Sequence, residues 1–230
     1  MSTSDHFRSD RWHIRYVAET GSTNTDLLAE AETVPDRTVL RTGHQTAGRG
    51  RLDRRWDAPP GANLLVSIMF RDVPDAGEAV RRVGLAVAHA AREVAGVDAR
   101  LKWPNDVIVD GAKLAGVLAQ RAPNGAVVVG TGVNLGWEPD GAARLDGVDP
   151  ATFLDRLLAA YDALPVDIGD VYRAALVTLG QRVRVIRPSD ELTGTAIDVD
   201  PDGRLVVVDE CAISHRIDAG DIVHLRPERT

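Results

Sequence analysis

The chain has 230 residues and a hydrophobic fraction of 44%. That is enough for one large domain, or one domain plus a small module, around a packed core, and it excludes a disordered chain. Asp and Glu number 34 against 27 Lys and Arg, a formal net charge of −7, which argues against nucleic-acid binding through bulk positive charge. A single cysteine, Cys211, leaves no intrachain disulfide and points to a reducing, cytoplasmic setting; no run of residues reaches the ~18 to 20 apolar positions of a membrane helix.

Residues 1–11 are polar, without an apolar signal core, and read as a disordered lead. Residues 12–19 alternate apolar and polar, as a strand does. In Thr20-Gly21-Ser22-Thr23-Asn24, Ser22 or Thr23 can cap a helix over 25–33, and Asp26 suits its first turn. A short strand at 39–42 runs into residues 43–56, where four arginines and two glycines fall within nine residues and Trp56 closes the stretch. Residues 57–61 are a turn. The run 63–70 (NLLVSIMF) has the continuous apolar character of a central strand. A helix over 78–95 carries Val80, Val83, Val87 and Val94 at spacings of three and four, with Gly96 as its stop.

Further on, 99–103 is a strand ended by Pro104. Segments 106–109 and 114–120 flank the hairpin turn Asp110-Gly111, and 126–135 is a buried strand. After a Gly/Asp/Pro-rich loop, Asp149-Pro150 opens a helix with Phe153, Leu154, Leu157, Leu158 and Tyr161 on one side. A second helix carries Ile168, Val171, Tyr172, Ala175, Leu176 and Leu179 and stops at Gly180. Five short strands follow, separated by turns at Pro188-Ser189, Asp202-Gly203 and Gly220-Asp221, which suggests a small barrel. Strands and helices interleave but hairpins are present, so the predicted class is α+β, with domains at 1–181 and 182–230. Cys211 reads as a small buried or half-buried side chain.

The arginine stretch is not a phosphate loop of the GxxxxGK[ST] kind. Its glycines permit close backbone approach, and its arginine forks suit phosphate or carboxylate oxygens. Trp56 offers a face to a purine ring, or else packs in the core. Asn105 and Asp106, after Lys102-Trp103-Pro104, either form a turn or hold a metal-bound water; Trp103 reads as buried beneath the site. Lys113 opens the second hairpin strand, pointing toward the strand ends or simply solvated. Asn134 has groups for a ribose or phosphate, or sits in a turn. Histidines 6, 13, 44, 89, 215 and 224 have no metal-ligand spacing.

Together these motifs resemble the biotin protein ligase family: Gly21-Ser22-Thr23-Asn24; Gln45-Thr46-Ala47-Gly48-Arg49-Gly50-Arg51 with Arg54 and Trp56; Lys102-Trp103-Pro104-Asn105-Asp106; Lys113-Leu114-Ala115-Gly116; and Gly132-Val133-Asn134. All occur in family order over roughly residues 12–180. The resemblance implies a mixed-sheet catalytic domain and a C-terminal SH3-like barrel. It implies activation of biotin by ATP, with Mg²⁺, to biotinyl-5'-AMP, and transfer to a lysine of a biotin carboxyl carrier domain. Ser22, Thr23, Asn24 and Gln45 would hold the ureido ring. Arg49, Gly50 and Arg51 would hold the anions, with Lys113 at the reacting junction. Arg54, Trp56, Asn105, Asp106 and Asn134 would serve the nucleotide. The metal ligands stay open. Too few residues precede the first strand for the DNA-binding domain of some members, so no DNA partner is expected, and a monomer or weak homodimer is. Asp53 departs from the family pattern inside the loop and is expected to pair with Arg54 or Arg55.

Overall fold

The computed structural model describes residues 11–225 except 74, 188–189 and 219. The expected disordered lead (Arg11 apart), the Pro188-Ser189 turn and the side chain of Asp53 lie outside them. Seven strands form the main sheet: β1 (His13–Thr20), β2 (Thr38–Gln45), β3 (Leu64–Phe70), β4 (Arg100–Lys102), β5 (Asp106–Val109), β6 (Ala112–Arg121) and β7 (Val127–Val133). Their order is β1-β2-β3-β7-β6-β5-β4. β1 and β2 are parallel and the remaining neighbours antiparallel, giving the mixed sheet expected of an α+β chain.

β3 is central and buried along its whole length, as its unbroken apolar run demands. One face of the sheet is covered by α2 (Ala76–Ala95) and α3 (Pro150–Asp162), the other by the short α1 (Thr23–Ala29). α2 turns Val83, Val87, Ala90 and Ala91 inward. It starts at Asp75, whose carboxylate accepts from the N–H groups of Gly77 and Glu78, and ends at Gly96 in the left-handed conformation. Asp149 caps α3 through the Thr152 N–H. Fully burying each of Leu64, Ile68 and Phe153 contributes about 1.5 to 3 kcal/mol.

A second, antiparallel sheet contains β8 (Arg182–Ile186), β9 (Glu191–Val199), β10 (Leu205–Asp209), β11 (Ser214–Ile217) and β12 (Asp221–His224), in the order β11-β10-β9-β8-β12. The five short strands expected to make a small barrel form this five-stranded antiparallel sheet. Val183, Val185, Leu205, Val207 and Ile217 belong to the same apolar cluster as the main-sheet core, so the two sheets share one interior.

β1 forms where a strand is expected, as an edge strand exposed on both faces with no layer over it among the described residues; Tyr16 is 57% exposed. Three expectations change. α1 begins at Thr23 and stops at Ala29, earlier than its pattern suggests. The second helix, α4 (Gly169–Ala175), ends well before Gly180. Leu176 is buried instead as extended chain, bridged to Leu101 of β4. Cys211 is exposed, in a turn where Asp209 Oδ1 accepts from the N–H groups of Cys211 and Ile213.

Candidate active site

A cavity of 530 Å³ opens at one end of the main sheet. Every residue given a binding or catalytic role by the resemblance lines it: Ser22, Thr23 and Asn24 at the start of α1, Gln45 at the end of β2, Arg49, Gly50, Arg51, Arg54 and Trp56, then Asn105, Asp106, Lys113 and Asn134. Parallel pairing explains the first convergence. Thr20 lies beside Gln45 in register, and Thr46 and Ala47 donate to the carbonyls of Thr20 and Gly21 at 3.0 and 2.8 Å.

One end of the cavity is neutral and polar. The Thr23 N–H donates to Gln45 Oε1 at 2.8 Å, and Thr23 Oγ1 lies 3.0 Å from the same oxygen. Ser67, from the middle of β3, places its Oγ 2.7 Å from Thr23 Oγ1 and 2.6 Å from Asn24 Oδ1. Asn24 Nδ2 donates to the carbonyl of Leu118 and to Gln120 Oε1. A side chain at Gly130 would overlap Asn24 Oδ1, so glycine there lets Asn24 reach Ser67.

The other end is cationic. Residues 48–56 form a small hairpin: Arg49 and Arg55 are bridged, the Gly50 N–H donates to the Arg54 carbonyl at 2.6 Å, and the Trp56 N–H to the Gly48 carbonyl at 3.0 Å. A 3-10 turn, Arg51–Asp53, makes its tip, with Leu52 left-handed at φ 54°. Arg51 Nη1 donates to Asn105 Oδ1 at 3.3 Å and to the Gly220 carbonyl at 3.4 Å. Burial lowers the Arg51 pKa from its ordinary value, Asp221 and Asp106 pull it back up, and Arg54 lowers it again. Arg54 pairs with Asp221. Arg49 is exposed at the mouth, and among the described residues its guanidinium has no partner.

Trp56 occupies a slot made by two glycines. Gly116 on β6 and Gly132 on β7 are cross-strand partners. A Cβ on Gly132 would overlap the indole, and one on Gly116 would stand 3.3 Å from Cζ3. The indole Nε1 is buried and has no hydrogen-bond partner among the described residues. Lys113 Nζ sits 5.5 Å from the ring centroid and forms a 2.6 Å ion pair with Asp106.

Asn134 is buried and its amide is engaged. Nδ2 donates to the carbonyls of Lys113 and Ala143, and Oδ1 accepts from Asn63. It braces the strand that carries Lys113, and a direct nucleotide contact would require trading these bonds. Trp103 is buried as expected, its Nε1 donating to the Gly203 carbonyl of the second sheet.

Sequence reasoning passed over Ser67, whose only signal is being the one hydroxyl in β3. It also passed over Ile186, Asp221, Ile222 and Val223, which close the cavity from the second sheet. Among the described residues no group of three His, Cys, Asp or Glu is placed to hold a metal ion. Because Asp221 tethers Arg54, Asp221→Ala is expected to raise the rate of tryptic cleavage after Arg54 and Arg55 a few-fold in the ligand-free protein, read by mass spectrometry; an exposed pair contributes about 0 to 1 kcal/mol.

A family model described as "Biotin/lipoate A/B protein ligase family" matches residues 16–137, and one described as "Biotin protein ligase C terminal domain" matches 178–225. The chain is 40% identical to the biotin--[acetyl-CoA-carboxylase] ligase of Mycobacterium tuberculosis, over 91% of this chain and 88% of that one. It is 34% identical to the ligase of the same name from Paracoccus denitrificans, over 78% and 85%. Biotin protein ligase from Aquifex aeolicus, solved with biotin and ATP, shares the fold with a TM-score of 0.80 at 24% identity, over 93% and 99% of the two chains. The matched model spans more than half of the residues and carries the loop, the β6 lysine and the polar end of the cavity, so the chain belongs to the biotin/lipoate A/B protein ligase family.

Proposed function

We propose that the protein is a biotin–protein ligase that makes biotinyl-5'-AMP from biotin and ATP and transfers biotin to a lysine of a biotin carboxyl carrier domain. The observation that carries this reading is the single cavity with a neutral hydrogen-bonding end and a cationic end. A ureido ring needs neutral donors and acceptors, which Ser22, Thr23, Asn24 and Gln45 offer. A carboxylate and a triphosphate need fixed positive charge, which Arg49, Arg51, Arg54 and Lys113 offer. The same polar set disfavours lipoate, whose dithiolane calls for apolar walls.

In the first step a carboxylate oxygen of biotin attacks the α-phosphorus of ATP and pyrophosphate leaves. Arg49 and Arg51 cancel the repulsion between the two anions, and Lys113 exchanges Asp106 for the charge developing at the junction. In the second step a carrier lysine amine attacks the carbonyl of the mixed anhydride and AMP leaves. Trp56 stacks on adenine, while Asn105, Asp106 and Asn134 shape the nucleotide side. ATP is used as its Mg²⁺ complex, the ion arriving on the phosphates. The arginine hairpin, residues 48–56, acts as a lid that tightens over the adenylate, while residues 43–45 of the stretch belong to β2. We place the protein in the cytoplasm on its single cysteine, as a monomer or weak homodimer.

Incubation with α-³²P-ATP and either biotin or lipoate tests the reading: labelled adenylate with biotin is expected, and adenylate with lipoate alone would overturn it. Trp56→Ala is expected to weaken ATP binding by roughly ten- to a hundredfold, the worth of one base stack, with biotin affinity nearly unchanged. Calorimetric titration of each ligand separates the two effects; unchanged ATP affinity would leave Trp56 a packing residue only.

A further inference from the structure

Lys113 stands where the sheet holds its main chain least. On the β5 side the pairing slips: Val107 faces Ala115 but Ile108 faces Lys113, which makes Leu114 the extra residue of a bulge. On the β7 side the partner strand has ended, with Val133 opposite Ala115 as its last pair. The Lys113 carbonyl turns to that side and takes its hydrogen bonds from the chain beyond β7, the Ala143 N–H at 2.9 Å and Asn134 Nδ2 at 3.3 Å. A bulge re-aims the side chains beside it. The direction of the Lys113 ammonium therefore depends on these two bonds.

Asn134 can give its bond in only one of its two amide orientations, and Asn63 selects that one. Asn63 lies just before β3 and Asn134 just after β7, 2% and 1% exposed. The N–H groups of Leu135 and Trp137 both donate to Asn63 Oδ1, at 3.0 and 3.1 Å. Two main-chain donors require an oxygen there, so the Asn63 NH₂ faces Asn134 and donates to its Oδ1 at 3.3 Å. With its oxygen turned that way, Asn134 presents its NH₂ to the carbonyls of Lys113 and Ala143. Every group in this relay is an amide or a main-chain group, so no member can reverse its role by rotating a proton.

We propose that Asn63 is a positioning residue for adenylate formation, acting through Asn134 to fix the main chain of Lys113 and so to aim its ammonium. This inference rests on the proposed role of Lys113 at the reacting junction. Losing the relay displaces the ammonium but leaves the neutral end of the cavity as it is, so the rate suffers and biotin binding does not. Asn63→Asp is the isosteric probe. Its carboxylate still accepts from Leu135 and Trp137, and the Asn134 NH₂ becomes a third donor that keeps it ionised. Asn134 must then turn about, which sets its Oδ1 against the carbonyls of Lys113 and Ala143 and breaks the hold on Lys113.

The test follows single-turnover adenylate formation from biotin and ATP in the full chain. Asn63→Asp is expected to lower the rate about ten- to fiftyfold, within what a misplacement of about 1 Å produces. Biotin affinity without ATP is expected to change by less than about threefold. In a Lys113→Ala background the same substitution is expected to cost under about twofold, because no ammonium is left to aim. A merely structural role multiplies the loss equally in both backgrounds, and that result overturns the inference. So does Asn63→Asp or Lys113→Ala at the wild-type rate. Thermal unfolding shows whether each variant is folded. If Asn63→Asp is not, Asn63→Ser takes its place in the same cycle, its hydroxyl too short to reach Asn134. Failure of both to fold makes Asn63 a residue of the fold alone and overturns the inference too. Wild type that forms no adenylate from biotin overturns the functional reading instead.

Discussion

Lys113→Ala is expected to slow biotinyl-adenylate formation by about a hundred- to a thousandfold, the usual effect of removing one preorganised group from developing charge. The reason lies in where β6 puts the ammonium. Lys113 stands at the start of the strand, 2.6 Å from Asp106 and over the rim of the Trp56 indole, inside a cavity that also holds Arg51. The Asp106 pair keeps the side chain poised without burying it, and an incoming anion offers a stronger partner. Biotin affinity measured without ATP should fall much less than the rate, because the charge matters most when carboxylate and phosphate meet. Single-turnover release of labelled pyrophosphate measures the step directly. A rate within a few-fold of wild type would remove Lys113 from the chemistry.

Gly132→Ala is the second large effect. The added methyl group would occupy the position of the indole Nε1 and Cε2, and β7 cannot retreat because it pairs with β3 on one side and β6 on the other. Trp56 must therefore leave its slot, and the hairpin that carries it must move. Adenylate formation is expected to fall roughly ten- to a hundredfold, comparable to loss of the stacking side chain itself. The pairing makes a sharper prediction than either change alone. Once Trp56 is alanine, Gly132→Ala should cost almost nothing further, so the double variant should resemble Trp56→Ala. Additive losses would mean that the glycine serves the sheet rather than the tryptophan.

These two residues also show what a sequence can disclose. The arginines are legible as an anion-binding stretch because their charge is concentrated in one short window, whereas Lys113 and the Ser22–Asn24 set read by themselves as a hairpin lysine and a helix cap and gain site roles only through the family resemblance. The central strand is legible from its unbroken apolar run, the long helix from periodicity and the cap at Asp149 from the proline after it, whereas sequence reasoning passes over the cap at Asp75, three residues before the expected helix start. The resting place of Trp56 is not legible, because its slot is the meeting of two glycines on different strands. Ser67 hides in an apolar run, where a lone hydroxyl looks like tolerated polarity until its neighbours are known. Leu176 has helical spacing, yet a β-bridge to Leu101 claims it. β1 alternates as a half-buried strand does, but among the described residues no layer buries either face. In each case the deciding partner lies far along the chain.

The arginine hairpin is fastened at its tip to residues of the second sheet, Arg54 to Asp221 and Arg51 to the Gly220 carbonyl. Opening the hairpin therefore means either releasing those bonds or carrying the C-terminal strands along. Loop position and the relative orientation of the two sheets become one mechanical coordinate. A donor and acceptor dye, one on the exposed Cys211 and one on a cysteine introduced at the exposed edge strand β1, would then read ligand occupancy as a change in transfer efficiency, with no label near the chemistry.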